Sequence, residues 1–298
     1  MKVAVLASSN MMPGAADQRE DAFERDEQMG KLVPALAAHG VGCELVEWRG
    51  ADRRADEFAA VMPLLCWDYW DHREEFLRTM ERAAERTKVF NAPDTLRWNT
   101  DKSYLDELGS KGARLIPTEV VERFSDEAAM NAYAAFGTNT LVVKPLVGGG
   151  AWRQALLKQG EPLPPESELP PAETMIQPFL PSVVEEGETS MLFFGGKFSH
   201  ALQKTARSGD YRIQSQYGGR EVPIVPEPEV AEFARSQLAL LDETPLYARV
   251  DLLRGLDGEM CLIEMEMVEP YLYLGLSEGE GGENRGAKAF AEALVGLL

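Results

Sequence analysis

Short apolar runs alternate with amphipathic segments through the first hundred residues. The runs KVAVLAS, GCELVEW, EFAAVMPLLCW and KVF are typical of β-strands. Between them, residues 21–38 and 71–86 predict helices, the first followed by Gly40 and the second carrying an apolar stripe. This alternation predicts a small doubly wound parallel sheet of the Rossmann type.

Sheets of this kind bind ligands at the carboxyl ends of their strands. The loop ASSNMMPG after the first strand lacks the G-x-G-x-x-G pattern, so a dinucleotide is not expected, but Asn10 is a candidate for substrate contact. The segment CWDYWDH ends the third apolar run. Core packing accounts for Trp67 or Trp70, whereas Asp68 and Tyr69 are the better substrate candidates.

A strand ending in lysine and followed by three glycines, LVVKPLVGGGAW, predicts a phosphate-binding loop. Gly148, Gly149 and Gly150 would let backbone N–H groups approach phosphate oxygens, and Lys144 would add a point charge. A Walker A loop is excluded, because in that motif the glycines precede the lysine, whereas here they follow it. The alternative is a glycine-rich hairpin with a surface lysine.

The segment YARVDLLRGLDGEMCLIEMEMVEP predicts a hairpin that gathers carboxylates on one face. Because side chains alternate along strands, we expect one shared face to hold Arg249, Asp251 and Leu253, with Met260, Leu262, Glu264 and Glu266 on the partner strand. Asp251 should lie opposite Leu262 or Glu264. Three mutually repelling carboxylates require positive charge, and a hard cation such as Mg²⁺ binds such oxygens. The alternative is a solvated face on which Arg249 pairs with the acids.

Together these segments resemble the ATP-grasp superfamily of carboxylate–amine ligases. The matching patterns are Lys144 to Gly150, Arg249-x-Asp251, and Glu264-x-Glu266, where the family usually has asparagine at the last position. The resemblance, from Lys102 to Pro270, implies a ligase that forms carbon–nitrogen bonds and yields ADP. It also implies ATP and two magnesium ions held by the three acids, with manganese as a substitute.

Further site residues follow from the same resemblance. Lys102 would contact phosphate, with Asn99 or Thr100 as the N-cap of its helix. The resemblance implies base contacts by Gln177, Phe179 and Leu180, a ribose contact by Glu188, catalytic roles for Arg249, Lys204 and Arg212, and a substrate contact by Arg207.

The resemblance also implies the chain's organisation, an α/β or α+β ATP-grasp fold. A Rossmann-like domain is expected at 1–98, a central subdomain at 99–180, and a C-terminal subdomain with the metal-binding hairpin at 181–298. The proline-rich segment GEPLPPESELPP is expected to be a loop inside the nucleotide-binding region.

Charge and composition restrict the partners. A formal net charge of −19 weighs against nucleic acid, and an acidic protein that binds a nucleotide must concentrate positive charge locally. No apolar run is long enough for a membrane span, and MKVAVLASSN lacks the core of a signal peptide, so a cytoplasmic protein is expected. Cys43, Cys66 and Cys261 are expected to be buried thiols. A homodimer remains open.

The identity of the ligase is less constrained. The segments EMEMVEPYLYL and WDY are similar to the group of small ATP-grasp proteins that includes the D-cycloserine ring-closing ligase, which implies an amino-acid-like substrate and intramolecular ligation. One alternative is a peptide ligase similar to glutathione synthetase or the glutamate ligases. An alternative of another class is a non-catalytic nucleotide-binding regulator with a degenerate ATP-grasp core.

Overall fold

Three β-sheets, each drawn from its own stretch of chain, organise this computed structural model, which describes residues 1–213 and 217–298. The first sheet has the order β2-β1-β3-β4 and all its pairings are parallel. Its strands are β1 (Lys2–Ala7), β2 (Gly42–Glu47), β3 (Ala60–Leu65) and β4 (Lys88–Val89). The helices that connect them are α1 (Phe23–Ala38) and α2 (Arg73–Ala84). The predicted Rossmann-like parallel sheet is confirmed.

Two short helices, α3 (Pro93–Asn99) and α4 (Tyr104–Ser110), follow the first sheet. The prediction that Asn99 or Thr100 caps a helix N-terminus is wrong, because Asn99 ends α3 and Thr100 follows it. The Asn99 amide is used elsewhere: Nδ2 donates to the carbonyl of Met265, and Oδ1 accepts the N–H of Met267, both at 2.7 Å. This long-range pairing fixes the connection against the third sheet.

The second sheet is antiparallel, with the order β5-β8-β6-β7. Its strands are β5 (Glu119–Val121), β6 (Thr140–Pro145), β7 (Ala155–Lys158) and β8 (Thr174–Pro178). Helix α5 (Asp126–Phe136) begins after Ser125, whose hydroxyl accepts the N–H of Ala128 at 3.1 Å. This helix covers one face of the sheet and leaves the end of β6 free to line a cavity.

The third sheet is also antiparallel, with the order β11-β10-β9-β12-β13. Its strands are β9 (Glu188–Phe194), β10 (Lys197–Thr205), β11 (Arg220–Ile224), β12 (Tyr247–Arg254) and β13 (Met260–Glu266). The short helix α6 (Ser182–Glu185) precedes it, and α7 (Pro228–Leu238) packs with α4 against one face. The opposite face carries the charged side chains of the cavity.

The β12–β13 hairpin contains an irregularity that changes which residues share a face. Asp251 lies opposite Glu264, one of the two predicted registers, but the next pair is Leu252 with Leu262, so Ile263 is an extra residue. The prediction that Met260 and Leu262 lie on the carboxylate face is therefore wrong. Both pack in the hydrophobic core beneath the sheet, and Ile263 lines the cavity.

The predicted segments 1–98, 99–180 and 181–298 each contain one sheet, but their cores interlock. The C-terminal helix α8 (Arg285–Leu297) packs beside α1, and Phe290 shares a cluster with apolar residues of the first sheet. Helix α4 in turn contributes to the core of the third sheet. In the described ranges, no helix is sufficiently long and apolar to cross a bilayer.

Candidate active site

A cavity of about 290 Å³ lies where the three sheets meet. Its walls are the loops after β1 and β3, the end of β6 with the glycine loop, the residues after β8, and the charged face of the third sheet. Sheet ends and a cleft between subdomains are common positions for ligand sites. The sequence predicted most of these wall segments.

The predicted phosphate loop connects β6 and β7 and lines the cavity. Lys144 is only 9% exposed, and no ion pair of its ammonium group forms within the described part of the chain. Burial lowers the pKa of Lys144, and the carboxylate of Glu264 partly offsets that effect. Gly149 passes so close to the indole of Trp70 that a Cβ would lie 3.3 Å from its Cζ3. The geometry thus provides bare backbone and a buried lysine side by side.

Lys102 lies between α3 and α4, and its side chain connects two walls of the cavity. Its Nζ donates to the carbonyl of Gly148 at 2.5 Å and lies 3.2 Å from a carboxylate oxygen of Glu264. The prediction that Lys102 belongs to the phosphate region therefore agrees with its position. Its role as a phosphate ligand stays a prediction.

The residues proposed to contact a base lie at the end of β8. Gln177 donates from Nε2 to the hydroxyl of Thr118 at 2.8 Å, and the N–H of Phe179 donates to the carbonyl of Thr140 at 2.9 Å. The ring of Phe179 meets that of Tyr211 edge to face, with centroids 6.2 Å apart. Together with Leu180, these groups form an apolar wall suited to a flat ring.

A buried ion cluster crosses the floor of the cavity on β9, β10 and β12. Lys204 Nζ lies 3.0 Å from Glu188 and 3.5 Å from Asp251, and Ser190 donates a hydrogen bond to Asp251. Burial raises the pKa of Glu188, and Lys204 offsets part of this. Burial and Arg249 would lower the pKa of Lys204, but the Asp251 and Glu188 carboxylates raise it above its usual value. The neighbouring carboxylates therefore favour the charged form of Lys204.

Arg249 joins the two strands of the hairpin. Its guanidinium lies 2.9 Å from Asp251 and also pairs with Glu266, which is directly opposite in register. Burial opposes ionisation of Asp251, yet Arg249 and Lys204 bring its pKa down to about 2. Burial raises the pKa of Glu266 to about 7 despite Arg249, with the Asp251 charge adding to the rise.

The three acids predicted to bind metal, Asp251, Glu264 and Glu266, line one wall of the cavity, and each pairs with a basic side chain. No group of three or more histidine, cysteine, aspartate or glutamate side chains in residues 1–213 and 217–298 is arranged to hold a metal ion. Asp251 and Glu266 pair with Arg249, and Glu264 pairs with Lys102. The donor set nevertheless fits a hard cation, because carboxylate oxygens from neighbouring register positions face one cavity.

Two further predicted arginines lie after β10. Arg212 lines the cavity, donates to Asp210 at 2.8 Å, and stacks 3.8 Å from the ring centroid of Tyr217. Arg207 is exposed and lies outside the cavity lining. The structure brings Arg212 to the site and leaves Arg207 away from it.

Only one of the three substrate candidates in the first sheet lines the cavity. Tyr69 is buried and lines the cavity, whereas Asn10 and Asp68 do not line it. The carboxylate of Asp68 accepts hydrogen bonds from Trp48 at 2.7 Å and Arg49 at 2.8 Å. These partners at the end of β2 turn Asp68 away from the cavity.

Several aromatic and acidic cavity residues were missed as functional candidates. Trp67 and Trp70 pack in or against the hydrophobic core, as predicted, but both also line the cavity, as do Glu269, Tyr271 and Tyr273. The last three follow β13 directly, and the sequence EPYLY after the acidic strand was the signal that could have identified them. They form the wall between the first and third sheets.

Comparison with known proteins identifies the class: the chain belongs to the ATP-grasp ligase family, so the predicted enzyme class is confirmed. Over 289 residues it is 31% identical to the cycloserine biosynthesis protein DcsG of Streptomyces lavendulae, covering 92% of this chain and 94% of that protein. Residues 3–91 match the family described as the D-cycloserine synthetase DcsG N-terminal domain.

Solved structures agree with this assignment. The crystal structure of D-cycloserine synthetase DcsG superposes with a TM-score of 0.81 at 27% identity, covering 100% of this chain and 99% of that one. The ATP-grasp ligase PsnB complexed with minimal precursor, Mg and ADP gives a TM-score of 0.61 at 18% identity, covering 99% and 97% of the two chains. At that identity PsnB supports the fold alone. The predicted ATP-grasp fold is confirmed.

Proposed function

We propose that this protein is an ATP- and magnesium-dependent carboxylate–amine ligase that activates a small amino-acid-like substrate as an acyl phosphate. The observation that carries the proposal is the buried ammonium of Lys144 beside the glycine loop, which forms no ion pair within residues 1–213 and 217–298 and faces a wall of carboxylates. A buried cation without a partner is costly, so it is retained where an anionic ligand compensates it. A purely structural lysine would be paired or exposed.

The nucleotide would lie between the second and third sheets. Its base would contact Gln177, Phe179 and Leu180, which form the apolar wall. Its ribose would meet Glu188 at the start of β9. Its phosphates would meet Lys102, Lys144 and the N–H groups of residues 148–150. Each assignment is supported by the position of the residue in one continuous cavity.

Asp251, Glu264 and Glu266 would hold magnesium, and we propose two ions, with manganese as a substitute. Magnesium would neutralise the charge that develops on the phosphates and bridge them to the protein. The PsnB complex was solved with Mg and ADP, which supports this metal for the fold. Glutamate at position 266 offers a longer arm than asparagine and one more negative charge.

The proposed reaction has two balanced steps. A substrate carboxylate oxygen attacks the γ-phosphorus of ATP, so an acyl phosphate forms and ADP leaves. The amine nitrogen then attacks the acyl carbon, inorganic phosphate leaves, and the nitrogen loses a proton. Arg249 and Lys204, which line the same cavity, would stabilise the transferring phosphoryl group and the tetrahedral intermediate. Arg212 would contact the same phosphate from the rim.

Similarity to DcsG over nearly the whole chain favours an intramolecular reaction, in which carboxylate and amine belong to the same molecule. The cavity agrees with a small substrate, since Trp67, Trp70 and Tyr271 narrow it beside the glycine loop. Intermolecular ligation, as in peptide ligases, remains the alternative.

The test is phosphate release from ATP with magnesium and a panel of amino acids and their derivatives. We expect at least one compound to stimulate release, with ADP as the nucleotide product, and hydroxylamine to trap the activated carboxyl as a hydroxamate. The product mass distinguishes the routes: ring closure yields the substrate less one water, whereas intermolecular ligation joins two molecules. ATP binding without stimulated turnover by any compound would favour a nucleotide-binding regulator.

A further inference from the structure

The acidic side chains that line the cavity differ in whether they pair with a basic side chain. The cavity acids that pair directly with a lysine or arginine are Asp21, Glu188, Asp251, Glu264 and Glu266. Glu269 also lines the cavity, yet its carboxylate makes no hydrogen bond or ion pair with any side chain in the described ranges. Burial raises the pKa of Glu269 well above its usual range, and a cation from outside the chain would favour the charged carboxylate.

The position of Glu269 is fixed by its surroundings. Its backbone carbonyl accepts the indole N–H of Trp67 at 3.0 Å. A Cβ placed on Gly149 would lie 3.9 Å from its Oε1 and 3.3 Å from Cζ3 of Trp70. The carboxylate therefore lies next to the glycine loop, where the proposed acyl phosphate would form.

Aromatic rings continue this wall away from the loop. Trp67 meets Tyr271 edge to face with centroids 6.3 Å apart, and Tyr271 meets Tyr273 at 4.6 Å. The ring of Tyr273 in turn lies 5.4 Å from Lys204 Nζ. The wall thus extends from an unpaired acid to the basic side chains of the proposed transfer site.

We infer that Glu269, with the indole of Trp70 beside it, binds the ammonium group of an amino-acid substrate whose carboxylate faces Arg249 and Lys204. A carboxylate and an aromatic face are the two protein groups that attract an ammonium ion most directly. The opposite ends of the wall then match the opposite charges of a zwitterion. This inference rests on the proposed function and adds the residues that bind the ammonium group of the substrate.

A magnesium ligand is the competing explanation, because Glu269 follows Glu266 by three residues. The two explanations differ in what changes on substitution. Glu269→Gln keeps an oxygen ligand for a metal but removes the charge that attracts an ammonium ion. A metal role would appear as a changed magnesium requirement, and an ammonium role as a changed preference among substrates.

Calorimetric binding with magnesium and a non-hydrolysable ATP analogue tests the inference. The probes are both enantiomers of alanine and serine, compared with lactate and glycerate, in which hydroxyl replaces ammonium. We expect at least one amino acid to bind roughly ten- to hundredfold more tightly than its hydroxy analogue, the range of a charge-assisted hydrogen bond. In Glu269→Gln this ratio should fall close to one, and in Glu269→Asp it should be intermediate.

Glu259→Gln, on the exposed turn of the hairpin, is the charge-matched control and should keep the parent ratio. The inference is overturned if no amino acid binds, if hydroxy analogues bind equally well to the parent, or if Glu269→Gln keeps the preference. A magnesium half-saturation that shifts in Glu269→Gln while the preference persists assigns Glu269 to metal. Binding of the ATP analogue, measured separately with Lys144→Met, reports on the proposed function.

Discussion

Replacing Lys144 with methionine should weaken nucleotide binding and stabilise the nucleotide-free protein. Methionine keeps the length and most of the volume of lysine but carries no charge. Lys144 is buried at the end of β6, and burial lowers its pKa, an effect that the Glu264 carboxylate offsets only in part. A side chain that lowers the stability of the ligand-free protein but strengthens ligand binding is characteristic of a binding site.

The magnitudes follow from this environment. A charge-assisted hydrogen bond to phosphate contributes about 1.5–3 kcal/mol, so ATP affinity should fall roughly ten- to 150-fold. Removing the unpaired buried ammonium should raise the free energy of unfolding by about 1–3 kcal/mol, by analogy with buried charges replaced by apolar side chains. For a chain of this size each kcal/mol raises Tm by roughly 2–3 °C.

Calorimetry with ATP and magnesium measures the affinity, and thermal unfolding without nucleotide measures the stability. Lys158→Met is the matched control, because Lys158 is exposed on the adjacent strand β7 and forms a long ion pair with Glu161 at 3.8 Å. It should leave both quantities nearly unchanged. If Lys144→Met binds ATP as tightly as the parent, or loses stability without nucleotide, Lys144 is a structural residue and the phosphate-loop assignment is wrong.

Three more predictions concern the neighbouring groups. Asp251→Asn should lower the free energy of unfolding by roughly 3–5 kcal/mol, because Arg249 and Lys204 lose the buried carboxylate that they share; an unchanged Tm without magnesium would contradict this. Glu266→Asn should keep measurable turnover with magnesium and Glu266→Leu should lose it, whereas equal rates would place the second metal elsewhere. Burial lowers the pKa of His200 to about 4, so the folded protein holds this imidazole neutral where the unfolded chain would protonate it. The resulting contribution to the free energy of unfolding is complete above pH 6.5 and is lost as the pH falls towards 4. His200→Asn should therefore reduce the acid-induced loss of stability by roughly 2–3 kcal/mol in a pH series of unfolding curves.

The structural features that could be predicted from the sequence were those that a single local sequence pattern determines. Alternating apolar runs and helical stripes were sufficient for the first sheet with its helices. A strand followed by three glycines placed Lys144 beside an open loop, since the loop must begin where the strand ends. The period of two along a strand put Arg249 and Asp251 on one face.

The errors arose where distant contacts overrode local pattern. Because Ile263 is an extra residue, the side chains that precede it on β13 point to the opposite face from the one predicted. The sequence carries no sign of that insertion. Asparagine is a residue type that often caps helices, but the amide of Asn99 binds backbone groups of the third sheet. Asp68 was assigned to substrate because Trp48 and Arg49, which bind it, are distant in sequence.

The pairing of the metal candidates with basic side chains indicates how nucleotide and metal would assist one another. The ammonium group of Lys102 contacts both Glu264 and the carbonyl of Gly148, so it links the acid to the glycine loop. Phosphate arriving at the loop would draw Lys102 away from Glu264 and leave that carboxylate for magnesium. Magnesium on Glu264 would likewise leave Lys102 for phosphate. Because coupling of binding free energies is reciprocal, each ligand then raises the affinity for the other by the same factor.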